Sequence, residues 1–320
     1  MSNRTFGLVL ATIILLELGF LGVVDKWMWG KPIVVVNNPD ELQLEGEFLR
    51  PSTEIFSDQT AAVNSTSTSI STPVARFSDS FGTPYRLKET SQPNSNLSKN
   101  WWVNSGGYFI TEGGVAKTIQ GDVPSSDEWY KKYASSNALD TDNGSHPQNI
   151  FRLVQTQKWE NFSQQVYFKI NSIIMSKSPN RNASNGVLLF NRYHSGDNLY
   201  YTGVRVDGAA VIKKKINGTY YTMSLKNIFP AKSYNPTTNL NSIPLTTWIG
   251  IKSEVITNLD KSVTIKLYTD IGKEGVWTLA AEVKDNGITF GGTALLDKGY
   301  AGIRTDFMNV EFDDYSIVSI

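Results

Sequence analysis

The feature that most constrains this chain is a set of turn dipeptides between short alternating segments. Asp207-Gly208 and Asn217-Gly218 separate the stretches 200–206, 209–216 and 219–223. Both dipeptides accept the positive φ of a type I′ turn, so the three stretches read as a three-stranded antiparallel meander. Gly113-Gly114 does the same between 108–112 and 115–119. Further stretches with strand composition lie at 150–156, 165–170, 187–193, 247–254, 263–269, 276–283 and 310–317. One short helix is predicted over 127–134, with Ser125 and Glu128 as a capping box. Strand and helix do not alternate, and no internal repeat is visible. So many strands after residue 74 predict an all-β fold, a two-sheet antiparallel jelly-roll β-sandwich over 75–320.

Ahead of that body lies a segment of another kind. Residues 6–24 read FGLVLATIILLELGFLGVV, with Glu17 as the only charge. Nineteen residues at ~1.5 Å each span a hydrocarbon core of ~30 Å. Trp27 and Trp29 follow, where interfacial aromatics sit. The segment is therefore expected to be a single transmembrane helix after a cytoplasmic tail of residues 1–5. A cleaved signal peptide is the rival, though no A-x-A site follows. Residues 25–74 become acidic and then Ser/Thr-rich, ending in NSTSTSIST, a composition that suits a tether. Arg4 before the span and Lys26 and Lys31 after it leave the charge bias undecided. Asn64, Asn96, Asn143, Asn161, Asn182 and Asn217 each begin an N-x-[ST] sequon, which makes a glycoprotein and an extracytoplasmic body the expectation.

Composition excludes several function classes. Formal net charge is zero, and no basic run exceeds Lys213-Lys214-Lys215, so nucleic acid is not an expected partner. Without cysteine there are no disulfides, thiolate metal sites or cysteine nucleophiles, and a prokaryotic surface is favoured. Hydrophobic residues at 40% against 19% charged indicate a packed body. No organic cofactor is expected, since phosphate-cradling and dinucleotide motifs are missing.

Three stretches carry a family resemblance. They are FSDSF (77–81) with WWVNSGGYFI (101–110), LLFNRYHSGDNLYYTGVRVDG (188–208), and GYAGIRTDFMNVEFDDYSIVSI (299–320). Together they resemble the concanavalin-A-like lectin/glucanase superfamily over about residues 76–320. The resemblance implies that the first and last strands are neighbours. It also implies a structural calcium site, which Asp79 with Asp313 or Asp314 would form if those strands pair. The loop DTDNGS (140–145) is a weaker metal candidate. Glucanases of the superfamily carry E-x-D-x-x-E on one strand, but Glu254, Glu274, Glu282 and Glu311 stand isolated here.

Lyases on such folds neutralise a uronate carboxylate and abstract a proton with Tyr or His. Arg152, Arg192, Tyr193, His194, Tyr201 and Arg205 are the catalytic candidates on that reading. Strand alternation sets Asn191 and Tyr193 on one face, and Arg192 and His194 on the other. Asn191, Lys213, Lys215 and Tyr220 are candidate ligand-binding residues. The expected function is a membrane-tethered extracytoplasmic carbohydrate-binding or adhesion module, with a polysaccharide or surface glycan as partner. Two alternatives stay open: an enzyme on acidic glycan, lyase before hydrolase, and a structural subunit of a surface assembly that forms a homo-oligomer.

Overall fold

The structure is a computed structural model that describes residues 74–95, 98–229 and 233–320. The expected tail, membrane segment and stalk, apart from Val74, lie outside the described residues, as do the sequons at Asn64 and Asn96. Among the described residues no helix is long and apolar enough to cross a membrane.

In chain order the strands are β1 (Arg76–Asp79), β2 (Tyr85–Lys88), β3 (Trp101–Ser105), β4 (Tyr108–Glu112), β5 (Val115–Lys117), β6 (Phe151–Trp159), β7 (Phe162–Ile173) and β8 (Gly186–Ser195). They continue as β9 (Asn198–Arg205), β10 (Ala209–Ile216), β11 (Thr219–Asn227), β12 (Ile249–Thr257), β13 (Val263–Ile271), β14 (Thr278–Asp285), β15 (Gly299–Thr305) and β16 (Met308–Ser319). Among the described residues one α-helix, α1 (Glu128–Ser136), interrupts them. One sheet runs β14-β13-β12-β7-β16-β5-β4-β2, with β1 also on β16, and the other runs β11-β10-β9-β8-β15-β6-β3. Every pairing is antiparallel, so the two-sheet expectation is met. The first and last strands are neighbours, Arg76 facing Val318 and Asp79 facing Tyr315.

The sheets differ in how their faces are used. β13 alternates buried and half-buried residues from Val263 to Leu267, the pattern of a sheet with one face on the core. β10, next to the edge strand β11 of the seven-stranded sheet, is buried at all eight positions, so that strand is covered on both faces. The main core lies between the sheets. Phe151 bridges Phe109 and Phe312 there, with ring centroids 6.5 and 6.1 Å away. Two buried polar ties cross the same space. Lys214 on β10 donates to both oxygens of Asp285 at 2.8 and 2.9 Å, and the Tyr200 hydroxyl donates to Asp285 at 2.7 Å. Asn191 Oδ1 accepts from Gln164 at 2.8 Å and from Ser253 at 2.7 Å, while its Nδ2 donates to Thr202 at 3.0 Å.

Local geometry meets the sequence reading at one turn and departs from it at two other points. Asn217 and Gly218 take φ of +48° and +84°, the expected two-residue turn. Between β9 and β10 only Gly208 has positive φ, in a three-residue loop that also holds Val206 and Asp207. The helix cap is Asp127, which accepts from Trp129 N at 2.7 Å, and not Ser125. Asp127 immediately precedes the helix and is itself a strong cap, so it displaces the predicted box.

Candidate functional site

The outer face of the seven-stranded sheet collects most of the predicted site residues, and the register fixes which ones. Lys213 faces Tyr201, Tyr201 faces Phe190, and Phe190 faces Gly302. The row ends with Gly302 facing Val154 and Val154 facing Trp102. In the next row Leu188 faces Arg304 and Arg304 faces Arg152. Toward the other end Lys215 faces Tyr220 and Tyr193 faces Tyr300. Trp102, Val154, Leu188, Phe190, Tyr193, Leu199, Tyr201 and Val211 form a second apolar cluster on this face, with Tyr220 and Tyr300 packed at its margin.

Aromatic rings run across the face in contact. Phe190 lies 5.1 Å from Tyr193 and 5.6 Å from Tyr201, and Tyr201 lies 6.1 Å from Tyr220. Cations sit among them. Lys213 Nζ is 5.3 Å from the Tyr201 ring centroid and 5.2 Å from that of Tyr220. Lys215 Nζ is 5.0 Å from Tyr220, and Arg304 lies 5.5 Å over Tyr201. Three of the cations carry their own carboxylate. Arg304 donates to Asp306 Oδ1 at 2.9 and 2.7 Å, Lys215 to Asp197 at 3.0 Å, and Arg205 to Asp207 at 2.5 Å. Burial holds the Lys213 ammonium down to about 7, with Arg304 adding to the effect. Burial also lowers Lys215 against the pull of Asp197, and raises the hydroxyls of Tyr193 and Tyr220. The interior of the face is tightly packed, Tyr201 keeping 2% and Lys213 6% of its surface. Arg152, Arg205, Tyr220 and Tyr300 are half-buried and form its reachable margin.

Three candidates do not join this face. The pairing register of β8 shifts between Asn191 and Ser195, and Arg192 takes φ of +49°. That bulge breaks the predicted alternation. Asn191 turns inward to the inter-sheet network and is fully buried, so it is a core amide and not a ligand-binding residue. Tyr193 turns outward, the opposite of the shared face predicted for the pair. Arg192 is also fully buried and donates to Glu160 O at 2.8 Å, Leu295 O at 2.7 Å and Thr257 Oγ1 at 2.7 Å. It pins loops at one end of the sandwich. His194 is exposed near Lys158, Glu160, Asp297 and Lys298, away from the aromatic row. Sequence reading missed Arg304, Asp306, Trp102 and Phe190 as members of the face. Arg304 was visible only as part of the closing fold motif.

The carboxylates considered for calcium are committed elsewhere. β1 and β16 pair as expected, but Asp79 accepts from Phe81 N and Trp101 Nε1, both at 2.8 Å. Asp313 and Asp314 both hold the Lys273 ammonium, Asp314 at 3.0 Å. In the 140–145 loop, Asp140 takes Ser178, Asn180 and Asn137, and Asp142 takes Ser176, His146 and Asn149. Carboxylates filled by N–H and O–H donors do not fit a calcium ion, which needs several free oxygens at once. Among the described residues no group of three or more His, Asp or Glu side chains could hold a metal.

No protein-family profile matches the chain, and no curated protein matches it in sequence. Several solved structures are similar to it. The carbohydrate-binding module CBM66 from Bacillus subtilis matches with a TM-score of 0.42 and 11% identity, over 68% of this chain and 95% of that one. A glycosyl hydrolase family protein from Mycobacterium fortuitum gives 0.42 and 11%, over 75% and 98%. A prokaryotic β-1,3-1,4-glucanase (lichenase) from a mouse hindgut metagenome gives 0.38 and 11%, over 76% and 98%. Likeness at this level carries no assignment of activity or site.

Proposed function

We propose that this chain is a carbohydrate-binding or adhesion module, presented outside the cell by the apolar segment 6–24 and the Ser/Thr-rich stalk. The observation that carries the reading is the aromatic-cationic row on the outer face of the seven-stranded sheet, from Trp102 through Tyr201 to Lys213 and Tyr220. Aromatic bodies with polar tips, next to fixed N–H donors, suit the mixed apolar and hydroxylated surface of a pyranose. A glycan first meets the half-buried margin at Arg152, Tyr220 and Tyr300. The lyase alternative is weaker, because Arg192 is buried and held by loop carbonyls, and His194 is exposed among Lys158, Glu160, Asp297 and Lys298 instead of in the aromatic cluster. The structural-subunit alternative is favoured by one feature. The edge strands β11 and β14 flank a groove where Val276 and Leu279 are 64% and 45% exposed.

A glycan array probed with the detergent-solubilised full chain tests the reading. Retention on neutral or acidic glycans is the expected result. Silence across the array, with concentration-dependent self-association in sedimentation, favours the structural alternative. Unsaturated products from a bound uronate polymer favour the lyase.

A further inference from the structure

The three consecutive lysines of β10 meet three different surroundings. Lys214 points between the sheets and is held by both Asp285 oxygens and by Gly292 O at 2.8 Å. Lys215 points outward and is held by Asp197 and by Gly196 O, both at 3.0 Å. Lys213 also points outward and is buried, yet among the described residues it donates no hydrogen bond and makes no ion pair. Its neighbours are the ring faces of Tyr201 and Tyr220. A buried ammonium in that position has lost its water and gained no acceptor.

A second observation lies beside it. Asp306 is 2% exposed and spends Oδ1 on Arg304, while its Oδ2 is buried without a hydrogen-bond partner. The charges facing Lys213 cancel in pairs: Arg304 with Asp306, and Arg205 with Asp207. Lys213 is thus the surplus charge of this corner, and Asp306 Oδ2 is its surplus acceptor. A simple anion would answer only the first. A ligand with a carboxylate and a nearby hydroxyl would answer both.

We infer that Lys213 and Asp306 form a subsite for an acidic sugar, with Lys213 holding the carboxylate and Asp306 Oδ2 accepting from a ring hydroxyl. The inference rests on the glycan-binding reading above and names the class of glycan. The carboxylate enters past Tyr220, which is half-buried on the edge strand β11 next to the exposed Thr222. Binding also recharges Lys213, because an adjacent carboxylate favours the protonated ammonium that burial opposes.

Calorimetric titration of the full chain with trigalacturonate and with its methyl ester tests this. The acid binds at least about tenfold more tightly than the ester, the loss expected for one charge-assisted hydrogen bond. At pH 8 its binding takes up roughly one proton per ligand, read from the dependence of heat on buffer. Lys213→Met abolishes both the preference and the proton uptake. Equal binding of acid and ester by the wild type overturns the inference, as does an unchanged preference in Lys213→Met. If neither compound binds while a neutral glycan is retained on the array, the inference alone falls. If no glycan binds at all, the reading beneath it falls too.

Discussion

Replacing Lys213 and Lys214 with methionine, one at a time, moves stability in opposite directions although the residues are adjacent. Burial takes Lys213 from its ordinary 10.5 to about 7. At ~1.36 kcal/mol per pKa unit the gap corresponds to roughly 5 kcal/mol of cost for the charged form. Below pH 7 the native and unfolded chains both hold the proton, and the cost is borne in full. Between about pH 7 and 10.5 the unfolded chain binds more protons than the native one, so stability rises with pH across that window. Lys213→Met removes the cost. It also forfeits two cation–π contacts of roughly 0.5–1 kcal/mol each and fits the space imperfectly. The expected net gain at pH 6 is about 1–3 kcal/mol, shrinking by about 2–3 kcal/mol by pH 9. Lys214→Met instead leaves Asp285 buried with only the Tyr200 hydroxyl and Gly287 N as donors, at a loss of roughly 3–5 kcal/mol. Guanidinium unfolding followed by tryptophan fluorescence at pH 6 and pH 9 reads both. Equal destabilisation by the two variants, or a Lys213→Met effect that does not change with pH, would refute the reasoning.

Other outcomes are expected from the same structure. Arg192→Met removes the donors to Glu160 O, Leu295 O and Thr257, and lowers stability by about 2–4 kcal/mol in chemical denaturation while leaving glycan retention intact. Loss of retention in the folded variant would return Arg192 to the site. Asn191→Leu orphans Gln164, Ser253 and Thr202 and lowers the thermal midpoint, a change equivalent to roughly 1–3 kcal/mol. A neutral effect would contradict the buried network. Chelation with EDTA leaves the midpoint unchanged, since Asp79, Asp313 and Asp314 are filled by protein donors. A fall of several degrees, reversed by calcium, would show that a metal holds the fold after all.

Much of the architecture was legible because local chemistry and global pairing agree. Asn217-Gly218 can hardly serve anything but a tight hairpin, and the strand lengths on either side follow from it. That Lys213 and Lys215 share a face follows from strand alternation, and it holds. What Lys214 meets on the other face does not follow, because Asp285 lies seventy-one residues away. The site was half legible for a single physical reason. Alternation predicts faces only while a strand is regular, and β8 is bulged at Arg192. No glycine within β8 marks that bulge; the one that makes room for it, Gly299, lies on the facing strand β15, where a Cβ would come within 2.5 Å of the Arg192 backbone. The bulge is held by carbonyls of Glu160 and Leu295, which reach Arg192 from other loops. The calcium expectation followed a similar course. The pairing of β1 with β16 was readable, but the lysine that occupies Asp313 and Asp314 comes from the loop after β13.

The account stands on the outer face of the seven-stranded sheet being where glycan binds. The most direct measurement is the affinity of the wild-type chain and of a folded Arg152→Ala/Tyr300→Ala variant for one glycan retained on the array, since both positions are half-buried at the margin of the face. The account predicts at least about a tenfold loss of affinity in the variant, with stability within about 1 kcal/mol of wild type. Wild-type affinity in that variant would show that the glycan, if bound, is bound elsewhere.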